Sequence, residues 1–494
     1  MSSTRSGEKS KLPWAAFARG VRDNLIAEVG GQGIRVCGVV ILARLLTPDD
    51  FGVFRILMSA SMFIILFSEA GIPDALIQRK ELNSAHESTA WWLTVALTGI
   101  CISALYILSP SIERLMEMPA LSSGLRLLCV PSMLQGMSII ANARLRREMR
   151  FGPLALSEVF AEILFVTTAL LLVWFGRPRL SLPAGLAARI AAQAIYVLAA
   201  EPYFPRKLPQ VAAARDYWQF ATVAFSGKLI TVGANNVDFV LVGKLLGSTA
   251  LGYYSIAWDL LRFVPARLYR VAGRVALPAF AKVQDQNEEL SEAYRKLLDY
   301  IARFVLPVSG CVAVAAPELL SSVYGAQWLP AATPMRILVV GLTLAGVRIG
   351  IGTVFYAKSY PSLDIYLMSG RLVSLTAIIL LTAQHGLSAV SAGVSVVEGF
   401  ISVAGQLLVC SLVECGAKNL ALALIPGTWL AAACVLATCV GKFTAMWLGV
   451  KPPLVLAFVV TPAAAMFFWL QAGDAARMIS TVFKRAPRKA AQAV

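Results

Sequence analysis

Blocks of about 20 mostly apolar residues recur along this 494-residue chain, each separated from the next by a short charged or proline-bearing break. A run of that length is what an α-helix needs to cross the ~30 Å hydrocarbon core of a bilayer. The blocks predict fourteen membrane helices: 25–46, 52–73, 89–112, 121–142, 154–175, 181–200, 217–246, 250–273, 297–320, 331–356, 362–384, 386–410, 419–441 and 452–472. Composition agrees, with 58% hydrophobic residues and only 15% charged, against about 25% charged in a soluble domain. A soluble fold of this composition would have almost no polar surface. The fold class expected is therefore an all-α integral membrane protein.

The breaks give the organisation. A polar linker at 201–216, with Pro202, Pro205 and Pro209, separates six spans at 24–200 from six at 217–410. Two further spans fill 411–472, and basic segments at 1–23 and 473–494 flank the whole. Lys282–Tyr300 is polar, with Leu290, Ala293, Leu297 and Leu298 at helical spacing, and reads as an amphipathic helix at 282–300 between the eighth and ninth spans. Arginine and lysine set the orientation. With the N-terminus in the cytoplasm, the internal segments hold Arg5–Arg22, Arg79-Lys80, Arg144 to Arg150, Arg206 to Arg215, Arg262 to Arg303 and Arg477–Lys489. An even number of spans returns the C-terminus to the same side. The polar start lacks a short apolar core with a small-residue cleavage site, so no cleaved signal peptide is expected. The same asymmetry accounts for the net charge of +16 without a nucleic-acid partner.

The chain also repeats itself. Val39–Ile56 reads apolar run, Arg44-Leu45-Leu46, a Thr47-Pro48-Asp49-Asp50 turn, Phe51-Gly52, apolar run. Val240–Ile256 follows the same plan, with Lys244, Leu245-Leu246 and Leu251-Gly252 at the matching places about 200 residues later. A hairpin repeated at this distance predicts two pseudo-symmetric six-helix bundles, a common plan for transporters with a central cavity.

Charges inside membrane helices cost at least about 2.5–3.5 kcal/mol each, so they should face protein or water. In the first span Glu28, Gln32 and Arg35 share one helix face; in the seventh, Lys228, Thr231, Asn235 and Asp238 do the same. Two such stripes facing one another would line a hydrated cleft. Glu69, Glu158, Glu162, Arg189, Asp259, Arg348, Asp364, Arg371 and Glu398 are further charges within spans; structural ion pairing or snorkelling is the plainer role for each. Guanidinium groups in a cleft suit a phosphate-bearing substrate. Substrate contacts are accordingly expected at Arg35, Lys228, Arg348, Arg371, Gln32 and Asn235, and ion coupling at Glu28, Glu69, Asp238 and Glu398.

Other chemistry is not indicated. Gly30-Gly31-Gln32-Gly33 follows no strand and lacks a Walker lysine, so it reads as a helix contact, as does Gly346 to Gly350. The eight cysteines lie singly in apolar blocks, and His86 and His385 are far apart in sequence. No metal, cofactor, disulfide framework or catalytic set is expected, so the chain is not read as an enzyme.

Ala43-Arg44-Leu45-Leu46-Thr47-Pro48-Asp49-Asp50-Phe51-Gly52 resembles the ARLLTPEDFG signature of bacterial polysaccharide transporters. Phe67 to Ile72, Ala75 to Lys80, Arg146 to Phe151, Leu277 to Phe280, and Tyr324-Gly325 with Trp328 resemble later landmarks of the same group. The chain is similar, from about Asn24 to Trp328, to the Wzx/WzxC/ExoT-type flippases of the multidrug/oligosaccharidyl-lipid/polysaccharide exporter superfamily. The resemblance implies a MATE- or MurJ-like fold. It also implies transfer of an undecaprenyl-diphosphate-linked oligosaccharide between leaflets of the bacterial inner membrane, upstream of a polymerase and co-polymerase. A multidrug or small-solute antiporter and a scaffold for a polymerase complex are the alternatives.

Overall fold

The computed structural model describes residues 14–79, 83–449 and scattered helical positions between 455 and 467. Among them there is helix and no strand, as expected where every backbone polar group must be satisfied without water. The helices are α1 (Trp14–Leu45), α2 (Pro48–Glu69), the short α3 (Ile72–Gln78), α4 (Ser84–Met116), α5 (Leu121–Arg147), α6 (Phe151–Trp174) and α7 (Pro178–Ala200). They continue with α8 (Val211–Ala281), α9 (Asn287–Leu319), α10 (Ala332–Val347), α11 (Ile351–Ala357), α12 (Pro361–Thr382), α13 (Leu387–Val413) and α14 (Ala417–Trp447).

Eleven stretches of the described residues are long and apolar enough to cross a membrane. One of them, Ala221–Phe263, contains Gly247 at φ 85° and ψ 171°. That non-helical residue divides α8 into two arms, which hold the seventh and eighth expected spans. The first expected span lies in α1, and the last, 452–472, falls mostly outside the described residues. The amphipathic segment is not a separate helix: from Asn287 onward it runs unbroken into the ninth span as α9. The tenth span is interrupted by a 3₁₀ turn at Arg348–Gly350, between α10 and α11.

The chain divides into two units. The first comprises Met1–Leu46 and Val53–Val232; the second comprises Thr47–Gly52 and Gly233–Val494. In the first, α4 packs on α5, α5 on α7, and α6 on α7 and α1. In the second, α9 packs on α10, α10 on α13, and α12 on α13, which is the same scheme in the matching order of spans. The helix α14 is an addition to the second unit and lies along α9. Gly427 there meets the Ala302 backbone, and Lys442 pairs with Glu318 at 2.7 Å.

Two capped connections fix ends that the site depends on. Thr47 and Asp50 form a reciprocal cap at the start of α2, the Thr47 amide donating to Asp50 Oδ2 at 3.0 Å and the Asp50 amide to Thr47 Oγ1 at 3.3 Å. The linker after α7 is bound to the first unit through its backbone. The Arg206 and Lys207 amides donate to Ser88 Oγ at 3.2 and 3.3 Å, and the Gln210 amide donates to Thr89 Oγ1 at 3.0 Å.

Candidate functional site

Within the first unit, α2, α3, α5, α7 and the leading arm of α8 surround a cavity of about 320 Å³. Its wall is polar for a membrane bundle: Ser68 and Glu69 from α2, Asp74 from α3, Gln193 from α7 and Lys228 from α8. The α5 wall carries Ser132, Gln135, Asn142 and Arg146, spaced at i, i+3, i+10 and i+14 and so on one helix face. Among the described residues no aromatic side chain lines it.

Lys228 is the cationic centre of this wall. Its Nζ lies 2.5 Å from Asp74 Oδ2 and 3.3 Å from Glu69 Oε2. One ammonium is shared by two carboxylates, all three only part-buried. Arg146 is exposed on the cavity wall, where its Nε donates to Asn142 Oδ1 at 2.7 Å. Among the described residues its Nη nitrogens have no partner.

A second cluster in the same unit stands away from that wall. Glu162 of α6, 4% exposed, accepts from Arg35 of α1 and from Arg189 Nε of α7, the latter at 2.8 Å. Gln32 is half-buried on α1, one turn from Arg35. The Glu28 side chain lies outside the described residues.

The second unit has a counterpart. Arg371 of α12, 2% exposed, donates from Nε to Glu398 Oε1 of α13 at 2.7 Å. Its Nη1 donates to the Ala234 carbonyl at 2.5 Å and to Asn235 Oδ1 at 3.3 Å. Arg348 pairs with the same carboxylate at 3.5 Å. Close by in sequence, Asp238 is fully buried and accepts from Tyr254 Oη at 3.0 Å. Glu162 and Arg189 are 27 residues apart, as are Arg371 and Glu398. Each pair bridges the fifth and sixth expected spans of its unit, α6 with α7 and α12 with α13, with the signs exchanged.

The residues expected from sequence thus fall into three groups. Lys228 and Glu69 meet at the cavity. Arg35 is drawn into an ion cluster with Glu162. Arg371, Arg348, Glu398 and Asn235 converge in the second unit. Reading for charge missed Asp74, Arg146 and the amides Gln135 and Gln193. The α5 face could have been found from its polar periodicity, but four of its five polar residues, Ser132, Gln135, Ser138 and Asn142, are uncharged.

The profile of the polysaccharide biosynthesis protein family matches residues 41–333, more than half of the chain. The teichuronic acid biosynthesis protein TuaB of Bacillus subtilis is 23% identical over 350 residues, 69% of this chain and 71% of that one. The lipopolysaccharide biosynthesis protein WzxC of Escherichia coli is 23% identical over 346 residues, covering 69% and 70%. The succinoglycan biosynthesis transport protein ExoT of Rhizobium meliloti is 24% identical over 315 residues, 63% of each chain. Among solved structures, the lipid II flippase MurJ in an inward closed conformation shares the fold. Its TM-score is 0.69 at 13% identity, over 91% of this chain and 99% of that one. An inward-facing multidrug resistance MATE family transporter has a TM-score of 0.61 at 15% identity, over 80% and 96%. The fold is that of the MurJ and MATE transporters, and the chain is a multi-pass membrane protein belonging to the polysaccharide biosynthesis protein family.

Proposed function

We propose that this protein is a flippase that carries an undecaprenyl-diphosphate-linked oligosaccharide from the cytoplasmic to the outer leaflet of a bacterial inner membrane. It acts by alternating access and performs no chemical step on its cargo. One observation carries the reading: a member of this family encloses, among apolar helices, a cavity walled by amides, hydroxyls, Lys228 and Arg146. A headgroup of sugars and phosphates needs such a wall, because any polar group taken from water must find a partner.

Within this reading Arg146 and Lys228 meet the diphosphate. Arg146 offers Nη donors, unpartnered among the described residues, in the planar arrangement that phosphate oxygens match. Lys228 exchanges its carboxylate partners for phosphate as the headgroup enters. Glu69 and Asp74 hold Lys228 in place between cargoes. Arg371 and Glu398 serve the second unit as a clamp, since the Arg371 guanidinium already spans a carboxylate, a carbonyl and an amide oxygen. Arg35 and Arg189 clamp the first unit through Glu162 in the same manner. Both termini face the cytoplasm, and the product passes to a polymerase and its co-polymerase.

A multidrug antiporter would bind aromatic cations. Lys228 already answers Glu69 and Asp74, the two carboxylates of the cavity wall that would otherwise attract such a cation. The test is complementation of a deletion strain. The wild-type gene restores surface polysaccharide and clears accumulated lipid-linked repeat units. Lys228→Ala with Arg146→Ala inserts normally and restores neither. Full polymer output from that double variant would remove the diphosphate role.

A further inference from the structure

The unused hydrogen-bonding groups of the cavity lie on two helices. Gln135 of α5 and Gln193 of α7 are half-buried and line it together with the buried Ser132. Among the described residues neither amide has a hydrogen-bond partner, and the Ser132 hydroxyl has none. Their neighbours are satisfied: Ser138 Oγ donates to the Gln135 carbonyl at 2.8 Å, and Ser68 Oγ to the Ile64 carbonyl at 2.7 Å. Half-buried amides that face a cavity from two packed helices and bond to nothing described around it are available to a ligand that both donates and accepts.

We infer that Gln135, Gln193 and Ser132 form a sugar subsite that decides which glycosylated carrier the protein accepts. The inference rests on the flippase reading above. A primary amide presents two donors and a carbonyl acceptor, which complements the hydroxyl groups of a pyranose. A volume of about 320 Å³ is at the small end for ligand sites (~300–1,000 Å³), so the subsite takes one ring and not a whole repeat unit. Arg146 lies on the same face of α5, eleven positions after Gln135. A ring at Gln135 and a diphosphate at Arg146 would therefore lie along one wall, about 16 Å apart along the helix axis.

The experiment compares binding of two probes to the purified full chain: bare undecaprenyl diphosphate, and the same lipid bearing a single hexose. The wild type should bind the hexosyl lipid roughly 30- to 150-fold more tightly, as two or three net hydrogen bonds of about 1 kcal/mol each would give. Gln135→Leu with Gln193→Leu should bring that ratio near one, and a thermal unfolding midpoint in detergent like the wild type's reports that the variant is folded. The single, more conservative Gln135→Asn should keep part of the preference. A ratio that survives the double leucine variant overturns the subsite. So does a wild type that binds both lipids equally. A wild type that binds neither lipid overturns the flippase reading itself.

Discussion

Glu162 and Glu398 each answer two guanidinium groups within apolar helices. Removing one member of such a cluster leaves an uncompensated charge where water is scarce, and about 3–5 kcal/mol is the usual loss. Glu398→Ala should destabilise the protein by that order, read as thermal unfolding in detergent. Adding Arg371→Met, which removes one stranded charge and keeps the bulk, should recover part of the loss. A double variant as unstable as the sum of its two single variants would show that the groups do not act as one cluster. At this scale the sequence is a partial guide. The cost of burying Arg35, Glu162, Arg189, Arg371 and Glu398 can be read from their place in apolar runs. Their pairing cannot, because Arg35 meets Glu162 across 127 positions through the packing of α1 on α6. Gln135 and Gln193 carry no charge, so they stand out only once the cavity exists.

Among the elements, the opening turn of α2 and the turn after Gly247 cross each other inside the second unit. A Cβ added at Gly52 would meet the Ser248 carbonyl, and one added at Gly252 would meet the Pro48 carbonyl. The two contacts are related by the same 200-residue offset as the hairpin repeat, and Ser248 Oγ donates to Asp49 across the crossing. Gly52→Ala or Gly252→Ala should therefore cost about 1–3 kcal/mol through forced backbone movement. Gly99→Ala in α4, where nothing lies within 4 Å, should be neutral or slightly stabilising in the same thermal assay. The linker makes a second element-level case. Ser88→Ala removes the acceptor for two linker amides, at about 1 kcal/mol or more for the pair. Trypsin should then cut after Arg206 and Lys207 several-fold faster; an unchanged cleavage rate would mean that the linker is held by other contacts. The hairpin repeat and the linker are both legible from local composition. The continuity of α9 is not, because a polar amphipathic stretch and an apolar span can join in one helix with no marking residue between them.

For the molecule as a whole, the second to the thirteenth apolar blocks overlap the eleven stretches of described residues that are long and apolar enough to span, since a run of about 20 such residues has few other uses. The fold shared with MurJ over 91% of this chain extends that reading to the architecture. Charge asymmetry further predicts that reporter fusions to either terminus are active on the cytoplasmic side only; activity outside would reverse the topology proposed here. The central claim is movement of a glycosylated lipid between leaflets. Its most direct measurement is the rate at which labelled undecaprenyl-diphosphate-linked sugar crosses vesicles reconstituted with the pure protein. Transfer should exceed that of protein-free vesicles and fall to their level with Lys228→Ala and Arg146→Ala combined. Wild-type vesicles that transfer the lipid no faster than empty ones would contradict the account.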